Sequence, residues 1–203
     1  NDMIGAYPIT ASVRHQQQGY RGLVITRSDS DIHSLEDLKG KTVGFADALS
    51  TSGSLYPKQA LRNMGIDPDQ DMRSILLSSH SSIVMSVVRG KVDAGAIYQD
   101  ARSNPEILSA VPDVHAQTRV IYTTELIPAD PQIVRKGLHL PTVEALRAAL
   151  IKMSGDPEAQ QWLKDIYGID AVASASAEDY EELRAVIMQA DPDFLKRSSS
   201  WVQ

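Results

Sequence analysis

Strand patterns and helix patterns alternate along much of this 203-residue chain, and this alternation constrains its fold more than any other feature. Short apolar runs rich in β-branched residues predict buried strands, and apolar residues three and four positions apart predict helices. Strands that alternate with helices are typical of an α/β domain built on a parallel sheet. From residue 141 onward the pattern is helical. The predicted strands are 22–26, 42–46, 75–78, 92–97 and 120–123, and the predicted helices between them are 34–40, 54–64, 81–89 and 101–110.

The composition excludes several classes of site. A net charge of −6 argues against a surface for nucleic acid or for an anionic membrane. The absence of cysteine excludes disulfides, thiolate nucleophiles and cysteine-based metal sites. The five histidines are scattered, with no pair at the spacing of metal ligands. No apolar run reaches the roughly 18 residues of a membrane-spanning helix. We therefore predict no metal and no cofactor.

Hydroxyl side chains are clustered where the strand pattern at 42–46 gives way to the helix pattern at 54–64. The first turn of a helix has unpaired N–H groups and a partial positive charge, so hydroxyls there add donors to a natural anion site. Ser and Thr are also preferred helix caps, although one cap needs only one hydroxyl. The cluster alone favours neither interpretation, an anion site or a helix cap, over the other. Its members are Ser50, Thr51, Ser52 and Ser54.

Polar residues also follow two other predicted strands. His80 comes soon after the strand at 75–78, and Asp100 comes soon after the strand at 92–97. Ligands of open α/β sheets bind outside the carboxyl ends of the strands. We therefore expect His80, Asp100 and the hydroxyl cluster to converge on one rim of the sheet.

Several segments, in this order, resemble the phosphonate-binding proteins of ABC transporters. The Ser-Thr-Ser-Gly at 50–53 is similar to the family's phosphate-cradling motif, and Leu-Ile-Pro-Ala-Asp-Pro at 126–131 resembles its Ile-Pro-Gly-Asp-Pro. Together they span about residues 20 to 135. The matching segments are 20–30, 34–45, 50–53, His80, 92–96 and 126–131.

This resemblance implies an α/β fold of the periplasmic-binding-protein type, a type II clamshell with one complete lobe and one incomplete lobe. The complete lobe would be 28–125 and would carry the anion-binding helix N-terminus. Residues 1–27 and 126–203 would form the rest of the first lobe, the hinge strands and the C-terminal helices. The resemblance also implies a non-enzymatic role, the capture of a phosphonate, phosphate or phosphite for an ABC transporter permease. The protein would be periplasmic or otherwise extracytoplasmic, and this location is compatible with a membrane anchor.

The resemblance further implies ligand contacts of two kinds. Hydroxyl and ring groups would donate hydrogen bonds to the ligand's oxygens, and carboxylates would face a ligand amino group. The implied donors are Tyr20, Ser50, Thr51, Ser52 and His80. The implied carboxylates are Asp100 and Asp130.

Simpler structural roles stay open for four of these residues. His80 precedes a predicted helix and could lie in its cap region. Asp100 could cap the helix predicted at 101–110. Asp130 lies between two prolines, where aspartate commonly makes a local turn bond. Tyr20 could be an aromatic residue at the edge of the core.

The sequence departs from the family in three respects. The family has an N-terminal segment that forms much of the first lobe, and this sequence has no counterpart to it. We therefore expect the lobe to be completed by a missing N-terminal segment or by another copy of the chain. Asp100 replaces a longer glutamate, and Ser79 replaces the glycine before the histidine. These two changes leave open which oxyanion is bound.

Two other functions remain alternatives. A ligand-sensing domain of a membrane signalling protein would have the same clamshell fold. A hydrolase is less favoured, although Ser50 or Ser52, His80 and Asp130 are the residue types of a catalytic triad. Neither serine lies in the Gly-x-Ser-x-Gly turn that typically presents such a nucleophile.

Overall fold

The computed structural model describes residues 5–99 and 101–190 and divides the chain into two compact units. Unit 2 is the continuous stretch Arg21–Ile127, and unit 1 combines the residues on either side of it. The strands are β1 (Ala6–Val13), β2 (Gly19–Tyr20), β3 (Gly22–Arg27), β4 (Thr42–Phe45), β5 (Arg73–Leu76), β6 (Ala94–Tyr98), β7 (Thr118–Thr123), β8 (Ile127–Pro128), β9 (Pro131–Arg135) and β10 (Ala171–Ser174). The α-helices are α1 (Tyr56–Asn63), α2 (His80–Val88), α3 (Pro105–Ala110), α4 (Val114–Gln117), α5 (Leu140–Met153), α6 (Pro157–Tyr167) and α7 (Glu181–Ala190).

Unit 2 is built on a five-stranded sheet in the order β5-β4-β6-β3-β7. β4 runs parallel to β5 and to β6, but β3 runs antiparallel to both of its neighbours, β6 and β7. The sheet is therefore mixed, and the prediction of a parallel sheet is wrong for β3. Residues 22–26 are all buried. A strand that is buried on both faces has the same continuous apolar pattern in either direction, so its sequence does not reveal which way it runs.

Two apolar layers cover the faces of this sheet. Leu23 and Ile25 of β3 pack on one face with side chains of α2, whereas Val24 packs on the other face with Phe45 of β4 and Leu61 of α1. Successive side chains of a strand point to opposite faces, so β3 supplies both layers. This is why residues 21–27, which the predicted lobe at 28–125 left out, belong to unit 2.

Several predicted helices are shorter or interrupted. The helix predicted at 34–40 is a single 3-10 turn, Glu36–Leu38. The helix predicted at 54–64 starts earlier, with a π-helical turn at Thr51–Leu55 that leads into α1. The helix predicted at 101–110 is divided into a 3-10 turn, Ala101–Ser103, and α3. Pro105 begins α3, and a proline restricts the residue before it to extended backbone, which interrupts the helix.

Unit 1 contains a three-stranded antiparallel sheet in the order β10-β1-β9. Val143 of α5 packs on Ile9 and Val134, and Leu163 of α6 packs on Val172. We expected residues outside this sequence to supply most of the sheet beneath these helices. The structure forms a three-stranded sheet beneath them from β1, β9 and β10, which the sequence patterns did not reveal, and a contribution from residues outside this sequence stays a prediction. Within the described residues, no helix has both the length and the apolar character needed to cross a bilayer.

Candidate anion-binding site

The hydroxyl cluster forms a tight turn between β4 and α1. The Ser50 carbonyl accepts hydrogen bonds from both the Ser54 and Leu55 amides, at 3.0 and 2.9 Å. The Ala46 amide donates to the Gly53 carbonyl at 3.0 Å, which ties the turn to the end of the strand. The first residues of the helix are thus fixed against the sheet, with the start of the helix at the carboxyl end of β4. This is the end at which ligands of α/β sheets bind.

The four hydroxyl residues of the turn differ in their surroundings. The Ser50 hydroxyl accepts a hydrogen bond from the Gly53 amide at 3.2 Å, so Ser50 caps the helix. The Ser54 hydroxyl donates to the Ala46 carbonyl at 3.0 Å and is buried. Ser52 is also buried, while Thr51 is half-buried. A serine hydroxyl has lone pairs and one proton, so Ser50 can accept from Gly53 and still donate its proton to an anion. The sequence left open whether Ser50 caps the helix or contacts a ligand, and its hydroxyl can therefore do both.

Gly53 allows His80 to approach the turn. A β-carbon added at Gly53 would lie 2.6 Å from the Ala46 β-carbon, 2.8 Å from the His80 Cε1 and 2.9 Å from the Ser50 Oγ. Real β-carbons essentially never come so close to such atoms. The Ala46 β-carbon, the His80 ring and the Ser50 hydroxyl thus border a space that only glycine fits. The structure brings His80 to the hydroxyl turn, as the topology predicted.

The hydrogen bonds of His80 determine which of its ring nitrogens carries the proton. His80 is the first residue of α2, and its Nδ1 accepts a hydrogen bond from the Tyr98 amide at 3.3 Å. In a neutral imidazole one nitrogen accepts and the other donates, so the proton is on Nε2. Burial lowers the pKa of His80, and the charge of Asp47 opposes this shift only in part. At neutral pH His80 is therefore a neutral ring that presents an Nε2–H donor.

The remaining predicted contacts lie outside the described part of unit 2. Tyr20 ends β2 and is half-buried, and Asp130 is exposed between β8 and β9. Both residues belong to unit 1, whereas the turn belongs to unit 2. Asp100 lies outside the described residues. Tyr20, Asp100 and Asp130 therefore stay predicted ligand contacts.

Sequence reasoning missed two residues that contact or influence His80. Tyr98 donates its amide to the ring and packs against it edge to face, with ring centroids 4.9 Å apart. The Asp47 carboxylate influences the charge of the ring and also accepts a hydrogen bond from the Leu49 amide at 3.0 Å. Tyr98 directly follows the strand predicted at 92–97 and lies two residues before Asp100, and this position was the one available signal.

Comparisons with known proteins agree with this architecture. A family profile described as "ABC transporter, phosphonate, periplasmic substrate-binding protein" matches residues 1–180. The Phosphonates-binding periplasmic protein of Escherichia coli (strain K12) is 26% identical over 150 residues, which cover 72% of this chain and 44% of that protein. The Phosphate-import protein PhnD of Mycolicibacterium smegmatis is 36% identical over 85 residues, which cover 38% of this chain and 26% of that protein. Among solved structures, a binding protein component of an ABC phosphonate transporter from Pseudomonas aeruginosa has a TM-score of 0.75 at 25% identity, over 97% of this chain and 65% of that one.

The mixed α/β units and the structural similarity define a protein with the fold of the periplasmic binding proteins. More specifically, this chain belongs to the family of periplasmic substrate-binding proteins of phosphonate ABC transporters. The predicted fold class and family are therefore confirmed. The chain spans less than half the length of these two curated relatives, 44% and 26%.

Proposed function

We propose that this protein captures a phosphonate, phosphate or phosphite outside the cytoplasm for the permease of an ABC transporter. The observation that carries the proposal is the turn at 50–54, which lies beside the Nε2–H donor of His80. Amide and hydroxyl donors at a helix start suit an oxyanion, because they supply hydrogen bonds where the helix dipole favours negative charge. A tetrahedral oxyanion has several acceptor oxygens, so it can engage hydroxyl, amide and ring donors together.

The nearest basic residue in the helix that follows is committed to other partners. Lys58 is the first lysine or arginine after the turn. Its ammonium lies 4.9 Å from the centre of the Phe45 ring and 3.6 Å from the Asp69 carboxylate. The donors at the turn itself are neutral, and recognition of the anion therefore depends on hydrogen bonds more than on an ion pair.

A ligand screen tests the proposal directly. Thermal shift and calorimetry are to be measured with phosphate, phosphite, methylphosphonate, 2-aminoethylphosphonate and sulfate. A ligand at a hundredfold excess over its dissociation constant stabilises a protein by about 2.7 kcal/mol. We expect such stabilisation by at least one phosphorus oxyanion. If no phosphorus oxyanion stabilises the protein, the proposal is contradicted. A preference for 2-aminoethylphosphonate over methylphosphonate would support the predicted roles of Asp100 and Asp130 as partners of a ligand amine.

Loss of a ligand-facing hydroxyl should weaken binding without unfolding the turn. A hydrogen bond to a charged group contributes about 1.5–3 kcal/mol. Thr51→Val and Ser52→Ala keep the approximate side-chain volume, and each should lower the affinity for phosphate or methylphosphonate by about ten- to a hundredfold. Calorimetry measures the affinity, and a denaturant melt of the ligand-free protein measures the stability.

Ser54→Ala is the matched control for these two variants. Its hydroxyl is committed to the Ala46 carbonyl, and a buried acceptor left unpaired costs about 1–3 kcal/mol, so this variant should lose stability. If Thr51→Val and Ser52→Ala lose stability as Ser54→Ala does, while the affinity of both is unchanged, their hydroxyls serve the fold and not a ligand.

We also propose that further polypeptide covers part of unit 1. Trp162, Ile166 and Tyr167 of α6 are 54%, 69% and 66% exposed, and they lie close together on the helix. Clustered exposed apolar side chains commonly mark an interaction surface. The occupant would be a missing N-terminal segment or a second copy of the chain. Native mass spectrometry of this chain should show self-association or a bound fragment, and Trp162→Lys should weaken it. A stable monomer with nothing bound would contradict the proposal.

A further inference from the structure

Side-chain hydrogen bonds lead from the surface of α3 to the residue that contacts His80. The Ser81 hydroxyl donates to the Glu106 carboxylate. The Asn104 side-chain amide donates to the Ser81 oxygen at 3.4 Å, and the Tyr98 hydroxyl donates to the Asn104 Oδ1 at 2.7 Å. These four residues and His80 all belong to unit 2. A continuous series of polar contacts therefore connects the surface carboxylate to the ring of Tyr98.

The carboxylate at one end fixes the direction of every bond in the series. An ionised glutamate only accepts, so Ser81 must donate to it, and the lone pairs of Ser81 are left for Asn104. The Asn104 amide nitrogen therefore faces Ser81, and its oxygen faces Tyr98. The Tyr98 hydroxyl has one proton, which it donates to that oxygen. The Tyr98 ring is thereby held from its hydroxyl end.

At its other end, Tyr98 holds His80 in two ways. Its amide donates to Nδ1 of the His80 ring, and its own ring stands at 83° to the imidazole, edge to face. Tyr98 is the last residue of β6, where Ile97 is fully buried, so its backbone is anchored in the sheet. The hydrogen bond from the Tyr98 amide fixes which ring nitrogen of His80 is protonated, and the aromatic contact limits rotation of the His80 ring. The direction of the Nε2–H donor thus depends on Tyr98.

We propose that Tyr98, held in place by Asn104, is a positioning residue that directs the Nε2–H of His80 at the oxyanion. This inference rests on the function proposed above. Tyr98 acts through His80 and needs no ligand contact of its own. Preorganised donors bind more tightly than free ones, because ordering them on binding costs free energy.

A double-mutant cycle tests the dependence on His80. His80→Asn retains a side-chain oxygen that can replace Nδ1 as acceptor for the Tyr98 amide, but it lacks the Nε2–H. Tyr98→Phe removes only the hydroxyl that bonds to Asn104. With phosphate and methylphosphonate as probes, we expect Tyr98→Phe to weaken binding about three- to tenfold in the wild-type background. In the His80→Asn background it should have no further effect.

Tyr122→Phe is the control for this cycle. Tyr122 packs against the opposite face of the same sheet, so the same change there should leave affinity unchanged. Equal losses from Tyr98→Phe in both backgrounds, or no loss in the wild-type background, would overturn the positioning role.

Nitrogen NMR of His80 in the ligand-free protein separates a failure of this inference from a failure of the proposed function. The wild type should show the Nε2–H tautomer. Tyr98→Phe and Asn104→Ala keep the backbone amide of Tyr98 and should keep this tautomer, but loss of the bond between Tyr98 and Asn104 should shift or broaden the ring signals toward a mixture of orientations. If the wild type binds none of the probe anions, the proposed function fails, but these signals still decide the role of Tyr98. Ring signals identical to those of the wild type in both variants would overturn it.

Discussion

Gly53→Ala should lower the affinity for phosphate and methylphosphonate more than a hundredfold. The added β-carbon would lie 2.6 Å from the Ala46 β-carbon, which is attached directly to the backbone at the end of β4 and cannot rotate away. The turn would therefore have to shift, and the His80 ring and the Ser50 hydroxyl with it. Loss of two hydrogen bonds to a charged ligand, at about 1.5–3 kcal/mol each, corresponds to at least about a hundredfold in affinity.

Gly155→Ala is the matched control for this experiment. It makes the same chemical change in the exposed connection between α5 and α6, where the nearest atom to the new β-carbon is the Lys152 carbonyl oxygen at 3.6 Å. Calorimetry on both variants measures affinity, and denaturant melts show whether each remains folded. A folded Gly53→Ala protein that binds either anion as the wild type does would rule out the turn as the anion site.

Ser50→Ala should reduce both affinity and stability. Its hydroxyl accepts from the Gly53 amide, and loss of such a cap costs about 0.5–2 kcal/mol of folding free energy. The same hydroxyl retains a proton for the ligand, so affinity should fall by about ten- to a hundredfold as well. Among Ser50→Ala, Ser52→Ala and Ser54→Ala, only Ser50→Ala is expected to lower both affinity and stability.

Ser50→Thr is the control for Ser50→Ala, because it replaces the residue but keeps a hydroxyl at this position. Threonine is also a good cap, so this variant should recover most of the stability, and affinity should recover in part. Calorimetry and denaturant melts of the two variants provide the comparison. If Ser50→Ala loses stability but binds every tested oxyanion as tightly as the wild type, Ser50 is a cap alone.

The parts of the site that the sequence predicted are those encoded by adjacent residues. The hydroxyl cluster and its place at a helix start follow from a strand pattern, a run of Ser and Thr, and a helix pattern. The role of Gly53 does not follow from the local sequence pattern, because atoms of Ala46 and His80 exclude a side chain there. Likewise, the contact between Tyr98 and His80 joins residues 18 positions apart and depends on the packing of β6 beside α2.

The first strand of unit 1, β1, was missed because its buried residues are partly polar. In β1, Thr10 is 0% exposed and Ser12 is 6% exposed, so the strand lacks a continuous apolar pattern. The Thr10 hydroxyl donates to the Gln132 side chain at 2.8 Å, and Gln132 donates to the Ser12 hydroxyl at 3.4 Å. Buried polar groups are tolerated when they are paired in this way. Such pairing between distant segments is not visible in either segment alone.

The neutral character of the donors at the turn has a consequence for the rate of capture. Charged clefts speed the encounter with an oppositely charged ligand, and added salt screens this attraction. Here the chain carries a net charge of −6, and the Asp47 carboxylate is close enough to influence His80. On the function proposed above, an anion would therefore gain little from long-range attraction and would be held by short-range hydrogen bonds once it arrives. Such a site would discriminate between anions by the geometry of their hydrogen bonds, and it would retain most of its affinity as ionic strength rises.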